Sequence, residues 1–269
     1  MGKIVLVTGA TSGIGKATAI YLAQKGYIVY GAARRVALLE DLTLYGIKPV
    51  ALDVTIDSSI TTCIDIILKQ EKRIDILINC AGLGSYGALE DVSIAEAKNQ
   101  MEINLFGVSH LIQLVLPEMR KNSYGKIVNI SSIGGKVGLP LGSWYHASKF
   151  AIEGLSDCLR NEVKQFGIDV IVIEPGGTKS EMIQNGTDDL MRVSGKTVYK
   201  DLAKAVIKSY TAQKEKAIEA VEIAKLITKS IESKSPKARY AASNAKPFLF
   251  IRKLLSDKLF DKLIMSQMK

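Results

Sequence analysis

Six short runs that are apolar on nearly every residue punctuate the first 178 residues of this chain, at 3–7, 28–31, 49–52, 74–78, 126–130 and 169–173. A strand with one wet face alternates apolar and polar side chains. A strand covered on both faces does not, and these runs are of the second kind. Between them lie stretches with helical periodicity, at 13–25, 37–44, 60–71, 95–120 and 143–166.

Repeated strand–helix units of this kind require right-handed crossovers, so the expected fold is α/β: a Rossmann-type doubly wound parallel sheet. Its 269 residues contain no internal repeat and no low-complexity linker, which predicts a single domain over 1–269. The segment 179–217 carries Gly186, Gly195 and mixed polar residues, and reads as a mobile insertion without strands. Beyond it a helix is expected over 219–233, and an edge strand over 238–242 after Pro236. The tail, 245–269, reads as an amphipathic helix with Phe248, Ile251, Leu255, Leu259 and Leu263 near one face over 247–265.

Hydrophobic residues make up 47% of the chain and charged ones 23%, a balance that excludes global disorder. The net charge of +9 is unevenly placed: residues 1–178 hold 17 basic and 17 acidic side chains, residues 179–269 hold 19 and 10. Nucleic-acid binding would interleave that charge with aromatic stacking residues. Here the lysines recur at helical spacing, as at Lys204, Lys208, Lys225 and Lys229, which predicts solvated helix faces and no nucleic-acid partner. Cys63, Cys80 and Cys158 lack metal-ligand spacing, and only His110 and His146 could join them, so no metal site is expected. Three cysteines as core residues suit a reducing compartment, and the first strand starts too early to leave room for a secretory leader. No apolar run approaches the roughly 20 residues that span a bilayer. The expected location is therefore the cytoplasm.

The first strand runs straight into Thr8-Gly9-Ala10-Thr11-Ser12-Gly13-Ile14-Gly15-Lys16. Gly9 permits a tight turn, Gly13 lets backbone approach a pyrophosphate, and Gly15 allows helix to pack closely on sheet. Glycines are common in turns, but these lie between the first strand and the first helix, where free N–H groups and the helix dipole face a phosphate. A dinucleotide site of this type uses an acidic side chain about 20 residues on for NAD ribose hydroxyls. This chain has Ala33-Arg34-Arg35 there. Guanidinium groups grip a 2′-phosphate that a carboxylate would repel, so NADP(H) is favoured over NAD(H). The bland alternative is that both arginines only begin an exposed helix. Asp53, with Val54 beside it, suits the adenine amino group.

Tyr145 and Lys149 sit four apart at the start of a predicted helix and share a face. A nearby ammonium stabilises a phenolate and pulls the tyrosine toward the neutral range, where it can exchange a proton with an alcohol or carbonyl oxygen. The spacing alone is weak, since Tyr21/Lys25 and Tyr210/Lys214 share it. Only Tyr145 follows a strand through Ser131-Ser132-Ile133-Gly134-Gly135, which places a serine hydroxyl and the phenol at the carboxyl edge of the sheet.

With these residues in view, the chain resembles a classical short-chain dehydrogenase/reductase. The likeness covers roughly the first 180 residues, in Thr8–Gly15, Asn79-Cys80-Ala81-Gly82, Asn104 within 103–107, Ser132, Tyr145-His146-Ala147-Ser148-Lys149 and Pro175-Gly176. It implies that Asn104, Ser132, Tyr145 and Lys149 are catalytic, with Asn104 holding a water in a proton relay to Lys149. It also implies that Ser132 and Tyr145 contact substrate and that Lys149 binds the nicotinamide ribose. The cofactor would further touch Gly9, Ser12, Gly13, Ile14, Gly15, Asn79 and Ala81, and at its nicotinamide end Pro175, Gly176 and Thr178. Cys80 departs from a frequent asparagine at a structural position.

The stretch from Pro236 through Arg239-Tyr240 to Leu255 and Phe260-Asp261 resembles hydroxysteroid- and retinol-dehydrogenase-like members of that family. That favours a lipophilic secondary alcohol, ketone or aldehyde as substrate, held beneath 179–217 as a lid, with Gly142, Ser143 and Trp144 near the chemistry. A reductase of carrier-linked 3-oxoacyl groups is the enzymatic alternative, and an NADP-sensing protein without turnover the non-enzymatic one. The resemblance implies a homodimer or homotetramer through the helices at 95–120 and 143–166. The cationic tail allows shallow peripheral contact with a membrane.

Overall fold

The computed structural model describes residues 2–179, 181–214 and 217–268. Its centre is a seven-stranded parallel sheet: β1 (Ile4–Thr8), β2 (Ile28–Ala33), β3 (Lys48–Ala51), β4 (Ile76–Asn79), β5 (Gly125–Ile130), β6 (Ile168–Glu174) and β7 (Arg239–Ala241). They lie in the order β3-β2-β1-β4-β5-β6-β7. Strand order reverses between β1 and β4, and at such a reversal the loops on either side diverge and leave a crevice at the carboxyl edge.

Alternation along β1 shows how both faces are covered. Ile4 and Leu6 join Ile64 and Ile67 of α2 (Asp57–Glu71), Leu111 and Val115 of α4 (Gly107–Lys121), and Ile152 of α5 (Ser143–Val163) in one apolar layer. Val5 and Val7 face the other way, into a layer with Ala19 and Leu22 of α1 (Gly13–Gln24) and Ile223 and Ile227 of α8 (Ala220–Glu232). This double burial is what the uninterrupted apolar runs anticipate.

Three expected helices differ in detail. The stretch at 37–44 is a 3-10 helix over Val36–Tyr45. The one at 95–120 is α3 (Ile94–Met101), a wide π turn over Glu102–Phe106, and α4. Its extra residue per turn leaves Ile103 and Asn104 buried while Phe106 faces out. The tail is two helices, α9 (Lys246–Leu254) and α10 (Asp257–Ser266), because Leu255 and Ser256 are extended. The break re-aims the expected single face: Phe248 and Leu255 pack inward, while Ile251 and Leu259 stand exposed.

The insertion folds as α6 (Glu181–Ser194) and α7 (Lys200–Lys214); residues 180, 215 and 216 of it lie outside those described. Hydrogen bonds tie α6 and the turn after it to the loop beyond β4. Asp189 accepts from the Ser85 hydroxyl at 2.7 Å and the Tyr86 N–H at 3.1 Å, and the Ser194 hydroxyl accepts from Ala88 N–H at 2.9 Å. Asp91 in turn accepts from Ser194 and Thr197. Lys204, Lys208, Lys225 and Lys229 are exposed, as expected of solvated helix faces. Cys63 is buried, but Cys158 is exposed rather than part of the core, because it lies on the outer face of α5. Among the described residues no helix is long and apolar enough to cross a membrane.

Candidate active site

A groove of about 460 Å³ runs along the carboxyl edge of the sheet, from the ends of β2 and β3 past the β1–α1 turn to α5. The turn is shaped by glycine. Gly9 and Gly13 hold φ of +65° and +51°, which L side chains rarely adopt. A Cβ on Gly15 would drive into the Gly9 carbonyl. The Thr8 hydroxyl braces the turn by accepting from the N–H groups of Cys80 and Ala81 at 3.1 and 3.0 Å.

Gly9, Ser12, Gly13, Ile14 and Gly15 all line this groove, and Ala81 faces them from the β4 side. At its far end stand Arg34, Arg35, Asp53 and Val54. Both arginines are exposed, and neither forms an ion pair among the described residues. Burial works against the ionised Asp53, yet two hydrogen bonds from Thr55 and the charge of Arg34 together hold its carboxyl below the usual range. Pro175, Gly176 and Thr178 close the near end. There Asn244, which the sequence reading missed, donates to the Gly177 carbonyl at 2.7 Å and fixes the turn. Asn79 is placed differently. It is buried off the groove wall, with its amide donating to Asn129 at 2.8 Å.

Ser132, Tyr145 and Lys149 converge on this near end. Ser132 caps the short turn after β5 by accepting from Gly134 N–H at 3.0 Å, and its hydroxyl lies close enough to the Tyr145 phenol to lower its pKa. Lys149, one helical turn beyond Tyr145, donates from Nζ to the Ile130 carbonyl at 2.9 Å, with Nζ 5.9 Å from the Tyr145 ring centre. Burial lowers the ammonium to a pKa of about 8, and the Glu153 carboxylate opposes this only in part. Burial also raises the Tyr145 phenol, and the Ser132 hydrogen bond only partly offsets this. The sequence expectation was the reverse, an acidified phenol. The difference arises because Lys149 turns its head to a backbone carbonyl rather than to the phenol oxygen.

Asn104 is reached through the π turn. Its Oδ1 accepts from Leu83 N–H at 2.8 Å, and its Nδ2 donates to the Leu83 carbonyl at 2.8 Å and to Ser148 Oγ at 2.9 Å. A Cβ built on Gly82 would lie 3.6 Å from Asn104 Oδ1 and 3.9 Å from Lys149 Nζ. The missing side chain at Gly82 thus leaves a space bordered by both groups.

Beyond Tyr145 the wall is Leu139, Tyr86, Tyr210 and His146, none of which the sequence reading placed there. Tyr210 is edge-on to Tyr86, with centroids 5.9 Å apart. Burial and the neighbouring phenols keep both hydroxyls protonated. His146 takes a hydrogen bond from Leu139 N–H on Nε2 at 3.2 Å, which assigns its proton to Nδ1, 3.0 Å from the Gly134 carbonyl. Burial lowers its pKa, so it stays neutral and staples the 134–139 loop. Gly142, Ser143 and Trp144 were expected beside the chemistry but lie off the groove wall, Ser143 fully on the outside.

The groove suits a dinucleotide on local grounds: side-chain-free backbone at the turn, cations at one end, and a cluster of hydroxyl, phenol and ammonium groups at the other. Among the described residues no group of acidic, histidine or cysteine side chains could hold a metal. Burial pushes the Cys80 thiol up to about 12, so it is no nucleophile at neutral pH.

Comparison with known proteins agrees. Residues 3–190 match the family model of the short chain dehydrogenases. A 3-ketodihydrosphingosine reductase of Bacteroides thetaiotaomicron is 43% identical over 183 residues, 68% of this chain and 66% of that protein. An NADPH-dependent 3-dehydrocapnine reductase of Ornithobacterium rhinotracheale is 30% identical over 99% of this chain and 98% of its own. The crystal structure of a short-chain dehydrogenase from Streptomyces avermitilis superposes with a TM-score of 0.82 at 30% identity, covering 98% and 95% of the two chains. This chain belongs to the short-chain dehydrogenase family of oxidoreductases.

Proposed function

We propose that this protein is an NADP(H)-dependent carbonyl reductase or secondary-alcohol dehydrogenase acting on lipophilic substrates. The observation that carries the reading is the convergence of Ser132, Tyr145 and Lys149 on one end of a dinucleotide-sized groove. The nicotinamide supplies the hydride, or accepts it in the reverse direction.

The chain's own residues handle the oxygen and its proton. Ser132 orients the carbonyl oxygen by hydrogen bonding. Tyr145, held protonated by burial, donates its proton to that oxygen as negative charge develops there. Lys149, with Asn104 across the Gly82 space, returns a proton to the resulting phenolate through water. Arg34 and Arg35 supply two exposed guanidinium groups for a 2′-phosphate, which supports NADP(H) over NAD(H).

A ketone of a long-chain substrate is favoured by two independent supports. The wall beyond Tyr145 is made of Leu139, the neutral His146 and the uncharged phenols of Tyr86 and Tyr210, with Asn185 and Gly186 beside them and no carboxylate. Two relatives are named as reductases of a 3-keto and a 3-dehydro compound. In this reading α6 and α7 form the lid over the substrate. Purified protein mixed with NADPH and a panel of 3-oxo lipids, steroids, retinaldehyde and short ketones tests the proposal. Consumption of NADPH with the lipophilic members is the expected result, and inertness toward the whole panel would refute it.

A further inference from the structure

Helix α9 buries one side and leaves the other bare. Phe248, Leu249 and Arg252 turn toward the domain, whereas Phe250 and Leu254 are 62% and 68% exposed and Ile251 39%. At 100° per residue, Phe250, Leu254, Pro247 and Ile251 occupy one contiguous apolar sector, with Lys246 and Lys253 along its edge. Leu259 of α10 adds a further exposed apolar side chain, 54% exposed, with Lys258 and Lys262 exposed near it. Arg252 is not available: it pairs with Asp257 at 2.6 Å and lies over the Phe260 ring.

The buried sides of the same helices reach the groove. Phe248, Leu255, Phe260 and Ile264 pack with Val137 and Leu139, and Leu139 lines the substrate end. Met268 packs with both this cluster and the one holding Tyr86 and Tyr210. The bare sector is therefore the outer side of the wall that encloses the substrate end.

Two candidate covers are distinguished by charge. A second copy would have to cover the sector with the same surface, and α9 carries Lys246 and Lys253 but no acidic side chain to pair with them. An anionic bilayer surface accepts the apolar sector among its acyl chains and the lysines among its headgroups. We infer that the outer face of α9 docks on an anionic membrane surface, placing the substrate end of the groove against the lipid. The second half of that statement rests on the lipophilic-substrate reading above; the first half does not.

The test is co-sedimentation of the full chain with vesicles of phosphatidylcholine alone and of phosphatidylcholine containing about one-third phosphatidylglycerol. Binding to the anionic vesicles alone is expected, weakening as salt is raised. The double variant Phe250→Ser/Leu254→Ser should bind about tenfold more weakly. It should keep the wild-type melting temperature and wild-type turnover of a short, water-soluble carbonyl, since neither residue lines the groove. The double variant Lys246→Glu/Lys253→Glu should lose binding without any loss of apolar surface, which guards against a folding artefact. Equal binding by wild type and both variants would overturn the inference, as would absence of binding to either vesicle. A concentration-dependent dimer that Phe250→Ser/Leu254→Ser dissolves would also overturn it, in favour of a second copy. Turnover of the water-soluble carbonyl reports separately on the catalytic reading.

Discussion

The rings of Tyr86 and Tyr145 lie with centroids 5.3 Å apart, inclined at 37°. Tyr86 comes from the loop after β4, and Asp189 of α6 holds its backbone. The space on its other flank exists because residue 186 is glycine: a Cβ there would sit 2.9 Å from the Tyr86 ring. Helix α6, the loop and the Tyr145 phenol are thus one packed unit.

Removing the ring should therefore be felt at the chemistry. An aromatic pair contributes about 1 kcal/mol, so Tyr86→Ala should lower kcat/KM about fivefold while leaving NADPH affinity unchanged. Gly186→Val should produce the same defect by pushing Tyr86 aside. Steady-state kinetics with a fixed ketone, paired with NADPH titration, check both. A matching loss of NADPH affinity would place Tyr86 in the cofactor site instead.

Tyr145→Phe keeps the ring against Tyr86 but deletes the proton donor. Turnover should fall about a thousandfold, with NADPH binding within a few-fold of wild type, measured by fluorescence titration. A variant that turns over at an undiminished rate would remove Tyr145 from the chemistry.

The pH profile follows from Lys149. Its pKa of about 8 means that the ammonium is present at neutral pH and lost as pH rises through 8. Reductive kcat/KM should be level below that value and fall above it. Glu153, held by Lys136 and Arg239 at 2.8 Å each, is a negative charge that favours the protonated lysine. Glu153→Gln should therefore shift the alkaline limb to lower pH. An unmoved limb would separate that limb from Lys149.

Cofactor choice should reside in Arg34 and Arg35. A charge-assisted hydrogen bond contributes about 2 kcal/mol, or some thirtyfold in affinity, so the double alanine variant should lose that much for NADPH and little for NADH. Parallel titrations with both cofactors decide the matter, and an unchanged preference contradicts the assignment.

Much of this was legible in the residues. The double-faced burial of β1 makes residues 4–7 apolar throughout, and Gly9, Gly13 and Gly15 announce their turn because only backbone fits there. Tyr145 and Lys149 are visible as a helical pair. What stayed hidden depends on contacts distant in sequence. Docking of α6 rests on Asp189 and Ser194 meeting residues 85–91, which no local periodicity records. Tyr86 and Tyr210 join the site only through that docking. The π turn at Glu102–Phe106 offsets the helical phase by one residue, and the burial of Tyr145, with Lys149 turned toward Ile130, reverses the expected shift of the phenol.

The proposed chemistry is the passage of a hydride to a carbonyl held by Ser132 and Tyr145. The most direct measurement supplies NADPH deuterated at the nicotinamide C4 together with a 3-oxo lipid, and reads the product by mass spectrometry. One deuterium on the carbinol carbon, delivered by the wild type and nearly absent with Tyr145→Phe, is the predicted result. Tight NADPH binding with no deuterium in any product across the carbonyl panel would contradict it.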